Sequence, residues 1–268
     1  MHSLGNDFVM LDGISAPIAL TQEAIRHIAD RHHGIGCDQL IVVEPGVHGA
    51  DLFMRIYNTD GSESGQCGNG ARCFARFVWE QGLTQKKEFA VQTISTRFHL
   101  TMGVEGEVSA ELDVPEFEPA KIPFHSAQPA DRYWVLVDSE DIMIGVASLG
   151  NPHAVLLVDD IDEAPVSRIG PVIEHHTDFP ERTNVGFVEI KSPTDLRLRV
   201  WERGVGETLA CGSGACAAVS VCRRWNLVED RVRVSLPGGV LQITWPGHGP
   251  ILMSGPTTRV FNGLWPVQ

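Results

Sequence analysis

Polar and apolar residues alternate with period two over much of the chain. The clearest runs are Asp195-Leu196-Arg197-Leu198-Arg199-Val200 and Arg231-Val232-Arg233-Val234-Ser235-Leu236, and such alternation predicts half-buried strands. Two stretches break the pattern. Apolar residues recur at helical spacing at Ala71, Phe74 and Val78, and again at Ala215, Ala218, Val219 and Cys222, which predicts one main helix in each half of the chain. A Gly-rich segment opens each: Cys67-Gly68-Asn69-Gly70-Ala71-Arg72-Cys73 and Cys211-Gly212-Ser213-Gly214-Ala215-Cys216. The likeness reaches upstream, because Gly5-Asn6 precedes Cys67 by 61 residues and Gly150-Asn151 precedes Cys211 by 60. The chain therefore reads as a repeat with an offset near 145.

Pro115, Pro119, Pro123 and Pro129 crowd a stretch without periodicity between Leu112 and Tyr133, as a domain boundary would. The expectation is an α+β protein of two pseudo-symmetric domains, 1–114 and 115–256, each with strands wrapped around one helix. By symmetry, the strand-like run Thr257 to Phe261 is expected to bring residues 257–268 back to the first domain.

Composition narrows the function. The 268 residues are 43% hydrophobic and 21% charged, which is ordinary for a folded globular chain. A net charge of −13 and the absence of any basic run argue against nucleic acid as a partner. No window approaches 18 apolar residues, and Met1-His2-Ser3-Leu4-Gly5-Asn6-Asp7 lacks a basic-then-apolar leader pattern, so no membrane association and a cytoplasmic location are expected. Of the six cysteines, Cys37, Cys67, Cys73, Cys211, Cys216 and Cys222, no pair has zinc-finger spacing, and His32-His33 and His175-His176 are adjacent residues that do not easily face one ion; no metal is expected.

A cysteine followed by Gly-x-Gly at a helix N-terminus sits among backbone N–H groups without intrahelical partners, at the positive end of the helix dipole. That environment favours thiolate, and the glycines let an anion such as a carboxylate approach the backbone. If the two halves face each other across a cleft, one sulfur would remove a proton from a carbon acid while the other donates one to the opposite face, which is the geometry of a racemase or epimerase. A single loop of this kind could equally be a dinucleotide-binding turn or a tight turn with a core cysteine. The duplication weighs against that, and so does the polar, flexible-looking stretch Glu202-Arg203-Gly204-Val205-Gly206-Glu207-Thr208, where a buried parallel strand should stand. The four lysines, Lys86, Lys87, Lys121 and Lys191, lie in polar, Pro-rich or turn-like stretches. None looks like a Schiff-base anchor for pyridoxal phosphate, so a cofactor-independent reaction is expected.

Seven segments together resemble the diaminopimelate epimerase family over essentially the whole chain. They are His2-Ser3-Leu4-Gly5-Asn6-Asp7-Phe8, Gly34-Ile35-Gly36-Cys37-Asp38-Gln39-Leu40, Asn58-Thr59-Asp60-Gly61-Ser62-Glu63, Gln66 through Cys73, Gly150-Asn151-Pro152-His153, Thr183-Asn184-Val185-Gly186, and Glu202 through Gly214. The resemblance implies two domains, each a strongly curved, mostly antiparallel sheet or barrel around a central helix. It implies cofactor-independent epimerisation of LL-diaminopimelate to meso-diaminopimelate for lysine and peptidoglycan precursors, with Cys67 and Cys211 as the two bases. Gly68, Asn69, Gly212 and Ser213 would cradle the reacting carboxylate. Asn6, Gln39, Asn58, Asn151, Asn184, Glu202 and Arg203 would hold the amino groups and the distal carboxylate, and His153 and Glu202 would tune the thiols. The family also implies a homodimer. Ser3 stands where the family has a glycine, and Phe261 where relatives have a tyrosine at the dimer contact. Two other readings are weighed against it. A proline or hydroxyproline racemase would carry His where Asn69 stands, and a non-catalytic amino-acid-binding relative would need neither thiol.

Overall fold

The alternating runs form strands and the two Gly-rich segments open helices in the computed structural model, which describes residues 1–65 and 67–266, with the backbone alone at Glu105. Gln66 of the first Gly-rich segment and Val267-Gln268 of the tail lie outside the described residues. The chain divides into two units, Met1–Ala110 with the C-terminal segment from Gly255, and Glu111–Ser254.

The first unit runs β1 (His2–Ser3), β2 (Asn6–Asp12), α1 (Gln22–Ala29), β3 (Gln39–Pro45), β4 (Leu52–Asn58), β5 (Glu63–Ser64), α2 (Gly68–Glu80), β6 (Glu88–Gln92) and β7 (Arg97–Met102); β8 (Glu107–Leu112) then carries the chain out of it. The second runs β9 (Tyr133–Val137), β10 (Glu140–Ser148), β11 (Pro152–Leu157), α3 (Val166–Glu174), β12 (Asn184–Ser192), β13 (Asp195–Glu202), β14 (Gly206–Thr208), α4 (Gly212–Arg224), β15 (Arg231–Leu236), β16 (Gly239–Thr244) and β17 (Ile251–Pro256).

The repeat is visible in the pairing. β1 with β2 is antiparallel, β2 with β3 parallel, β3 with β4 and β4 with β5 antiparallel, β4 with β6 parallel, and β6 with β7 antiparallel. The same six relations recur in the same order from β10 to β16. Helix α2 touches β1, β2, β3 and β7, strands from both ends of that ladder, and α4 likewise touches β10 to β13 and β16. Each mixed, mainly antiparallel sheet therefore curves around its helix, and the fold is α+β as expected.

The helices are central because little of their circumference faces solvent. From Asn69 to Ala75, with Val78, α2 is buried, and from Gly214 to Cys222 α4 is buried without a break. A helix apolar nearly all round belongs inside a core rather than on a surface. In the second unit Ile144, Val185, Phe187 and Ile173 pack in one apolar cluster that covers α3 and the face of β10 to β12. Cys37, Cys73, Cys216 and Cys222 are core side chains. Burial raises the Cys37 thiol to about 11 and the Cys73 and Cys222 thiols to about 12, so these sulfurs stay protonated and unreactive at neutral pH.

Two expectations need correction. Glu202 to Thr208 is an ordered hairpin: Glu202 pairs with Gly206 and Val200 with Thr208, and Gly204 and Gly206 take the left-handed φ values of 75° and 106° that close it. The tail is not a strand from Thr257 onward. Regular pairing ends with β17 at Pro256, which has no N–H to continue a ladder, and beyond it Thr258 makes a single bridge with His2. Among the described residues no helix is long and apolar enough to cross a membrane.

Phe74 is wholly buried on α2, whereas Trp134 on β9 is 65% exposed. Phe74→Ala is expected to cost about 3–5 kcal/mol and Trp134→Ala under about 0.5 kcal/mol, read as shifts in the denaturant midpoint at constant slope.

Candidate active site

The sheet topology gathers the predicted residues at one end of each sheet. In the first unit Asn6 opens β2, directly after a two-residue turn whose Leu4 and Gly5 are both left-handed (φ 55° and 87°), the geometry of a type I′ hairpin. Gln39 opens β3 opposite Phe8, and Asn58 closes β4 opposite Gln39. In the second unit His153 on β11 lies opposite Asn184 on β12, and Val185 opposite Trp201, which brings Glu202 to the same end.

Cys67 and Cys211 are the N-caps of α2 and α4, each with an extended backbone. Their sulfurs do what a Ser or Asp side chain does at this position: Gly70 N–H donates to Cys67 Sγ at 3.2 Å and Gly214 N–H to Cys211 Sγ at 3.4 Å. The second glycine of each motif has a definite use. A Cβ on Gly70 would lie 2.7 Å from Ile41 Cδ1 and 3.1 Å from Cys67 Sγ; on Gly214 it would lie 3.1 Å from Val200 Cγ2 and 3.2 Å from Cys211 Sγ. Only glycine lets the first helical turn sit against both strand and sulfur. Gly68 with Asn69, and Gly212 with Ser213, form the first turn of each helix, whose N–H groups have no intrahelical acceptor.

Around Cys67 the polar groups form a chain. Asn69 Nδ2 donates to Asn6 Oδ1 at 3.3 Å, and that oxygen is 4.0 Å from Cys67 Sγ. Asn6 Nδ2 donates to Asp38 Oδ2 at 2.8 Å. Because the Asp38 oxygen can only accept, the Asn6 amide is held with its carbonyl toward the thiol. From the other side, Arg72 Nη2 donates to Asn69 Oδ1 and to Ser3 Oγ, both at 2.7 Å. Gln39 Nε2 donates to Asn58 Oδ1 at 3.0 Å, and Asn58 Nδ2 to Ser62 Oγ at 3.0 Å, forming a second cluster on neighbouring strands.

Around Cys211 the arrangement is charged. Glu202 lies near enough for its charge to act on the thiol, and it accepts from Thr208 Oγ1 at 2.5 Å. Burial first, then the Glu202 charge, push the Cys211 thiol well above its ordinary value, against the opposing effects of the Ser213 hydroxyl at 3.6 Å and the Gly214 N–H. The helix terminus favours the anion here, but desolvation beside a carboxylate outweighs it. Burial likewise raises Glu202. Asn184 Oδ1 accepts from the Arg203 backbone N–H at 3.0 Å, and Arg203 Nη1 donates to Glu181 O at 3.0 Å. Asn151 Oδ1 lies 3.0 Å from His153 Nε2. Of the two residues that the resemblance casts as tuning the thiols, His153 meets Asn151 through Nε2, and the charge of Glu202 acts on Cys211.

The sequence alone assigns no role to Asp38, Arg72 or Thr208. The first two lie inside motifs already recognised, and their partners are up to 69 residues away. Among the described residues no group of three or more His, Cys, Asp and Glu side chains is set to hold a metal ion.

His153 is fully buried, and burial, aided by the Arg203 charge, pulls its imidazole down to about 3 from the ordinary 6.5. The folded protein thus keeps His153 neutral where the unfolded chain protonates it. Its contribution to stability is complete above pH 6.5 and is lost as pH falls from there toward 3, at up to about 1.4 kcal/mol per pH unit. His153→Gln is expected to flatten the pH dependence of unfolding free energy between about pH 7 and about pH 5, measured by urea denaturation.

A model of the diaminopimelate epimerase family matches residues 1–117 and 145–260. A diaminopimelate epimerase of Thioalkalivibrio sulfidiphilus (strain HL-EbGR7) is 49% identical over 267 residues, covering 98% of this chain and 96% of that protein. Among solved structures, a phenazine biosynthesis protein of the PhzF family from Bacillus anthracis superposes with a TM-score of 0.66 at 17% identity, over 96% of this chain and 92% of that one. A hydroxyproline epimerase from Agrobacterium vitis with bound trans-4-hydroxy-L-proline gives 0.62 at 15%, over 87% and 77%. These two likenesses concern the fold alone, whereas the match in sequence is decisive, and the chain belongs to the diaminopimelate epimerase family.

Proposed function

We propose that this chain interconverts LL- and meso-diaminopimelate without a cofactor, with Cys67 and Cys211 acting on opposite faces of one α-carbon. The observation that carries the reading is the duplicated turn in which a cysteine sulfur caps a buried helix, in a chain of this family. Cys211, held as a thiol by burial and Glu202, is the acid, and Cys67 as thiolate is the base. The Cys67 sulfur takes the α-proton, and the released electron pair spreads into the adjoining carboxylate. The Cys211 thiol then delivers its proton to the other face, and the negative charge ends on that sulfur. The carboxylate lies against the amide groups of Gly68, Asn69, Gly212 and Ser213, where helix dipoles stabilise the charge that develops. Asn6, Gln39, Asn58, Asn151, Asn184 and Glu202 hold the amino groups, and Arg203 grips the distal carboxylate. Neutral His153 adds no charge to the site, and the Glu202 charge holds the Cys211 thiol protonated.

All four lysines are exposed, and Lys86, Lys121 and Lys191 are paired with Asp51, Glu116 and Glu189. None has the buried setting that a Schiff-base lysine needs, which supports chemistry carried by thiols alone. We assign the product to lysine and peptidoglycan precursor synthesis in the cytoplasm. Val260, Phe261 and Leu264 leave an exposed apolar stretch in the tail, which supports a homodimer.

In deuterium oxide the reduced protein should wash deuterium into the α-position of diaminopimelate with no cofactor added, and should leave L-proline untouched. Cys67→Ala and Cys211→Ala should each lose at least about 10²–10⁴-fold in epimerisation, while each keeps α-proton exchange with one stereoisomer through its surviving sulfur. Undiminished epimerisation in both variants, or no exchange in the parent protein, would overturn the reading. Sedimentation equilibrium should return about twice the 29.3 kDa chain mass.

A further inference from the structure

Glu174 is the last residue of α3, at the helix end where a negative charge is disfavoured, yet it is only 3% exposed. Local helix energetics therefore do not explain it. Its two oxygens take different donors: Trp201 Nε1–H donates to Oε2 at 2.7 Å, and the Gly204 backbone N–H to Oε1 at 2.8 Å. Arg182 Nη1 and His175 Nδ1 stand farther off, at 3.9 and 4.0 Å. Trp201 and Gly204 flank the pair Glu202-Arg203, and the Arg203 N–H between them is taken by Asn184. Helix α3 also packs directly on this strand, since a Cβ at Gly170 would stand 2.7 Å from Trp201 Cβ. The end of β13 and the turn after it are thus pinned at three points, two of them, Trp201 and Gly204, by one buried carboxyl group.

We propose that Glu174 is a positioning residue that fixes the hairpin turn so that Glu202 meets Cys211 and Arg203 meets the distal carboxylate of the substrate. The inference rests on the function proposed above for Glu202 and Arg203. Burying an acidic side chain in order to accept from an indole and a backbone amide stabilises one conformation of a glycine-containing turn that has others open to it.

The decisive variant is Glu174→Gln. The amide keeps the shape but offers one acceptor, so its NH2 group must face either Trp201 Nε1–H or Gly204 N–H. Adding Trp201→Phe removes the indole donor and lets the glutamine carbonyl serve Gly204. Glu174→Gln is expected to raise KM for diaminopimelate at least about 10-fold and to lower kcat, since displacement of about 1 Å from productive geometry can cost that much or more. The double variant should return KM to within about threefold of Trp201→Phe alone. Partial unfolding would lower kcat with the active fraction and leave KM unchanged, so the KM rise and its rescue identify positioning. Backbone hydrogen–deuterium exchange over residues 202–206 in the substrate-free protein should accelerate in Glu174→Gln and slow again in the double variant. If the parent protein turns over diaminopimelate but Glu174→Gln leaves KM and exchange unchanged, or the double variant shows no rescue of either, the positioning role is overturned. If exchange responds and is rescued but the parent protein does not act on diaminopimelate, the assigned reaction fails and the pinned turn stands.

Discussion

The chemistry proposed for this fold depends on a sulfur atom closing the first turn of a buried helix. The bond from Gly70 or Gly214 to its cysteine is a weak one by the standard of oxygen caps, but it sets where the sulfur sits and leaves the opening amides of the helix directed at the same place. Glycine is required two residues into each helix because strand side chains and the sulfur itself crowd the Cβ position. The rest of each unit then wraps a sheet around that helix, which brings Asn6 to the cap in one unit and Glu202 in the other.

The repeat is legible in the sequence because it is carried by residues close together along the chain. Cys-Gly-x-Gly and the Gly-Asn pairs recur at one offset, and period-two runs such as Asp195 to Val200 mark strands wherever one face is buried. What escapes such a reading depends on partners remote along the chain. The protonation of Cys211 follows from burial of α4 and from Glu202, nine residues away in sequence but joined to it through a hairpin. The hairpin itself is hidden, since Arg203-Gly204-Val205-Gly206 has the composition of a flexible loop and is ordered by contacts to Glu174 and Asn184. The role of Asp38 in turning the Asn6 amide, and of Arg72 in holding Asn69, requires knowing which strands meet. The tail beyond Pro256 reads as a strand only when symmetry is extended to a segment with no counterpart.

Identical ladders have been filled differently. Positions that correspond across the repeat hold Asn58 and Glu202, Phe8 and His153, and Asn69 and Ser213. The first unit surrounds its cysteine with neutral amides oriented by ionic groups one step removed, whereas the second sets a carboxylate against the thiol itself. Duplication supplied two equivalent frames, and the side chains at the strand ends make the two sulfurs unequal.

That inequality acts again once the bond-breaking steps are over. With a two-base exchange, one passage through the reaction leaves the enzyme with its proton on the other sulfur, so the protein released with product is a tautomer of the one that bound substrate. Under the roles proposed above, this released tautomer carries its charge on Cys211, where burial and Glu202 disfavour the anion. It must relax by trading a proton with solvent, or run one cycle backwards, before it can repeat the forward conversion. Under that scheme the interchange of two ligand-free forms is a kinetic step in its own right, separate from cleavage of the carbon–hydrogen bond.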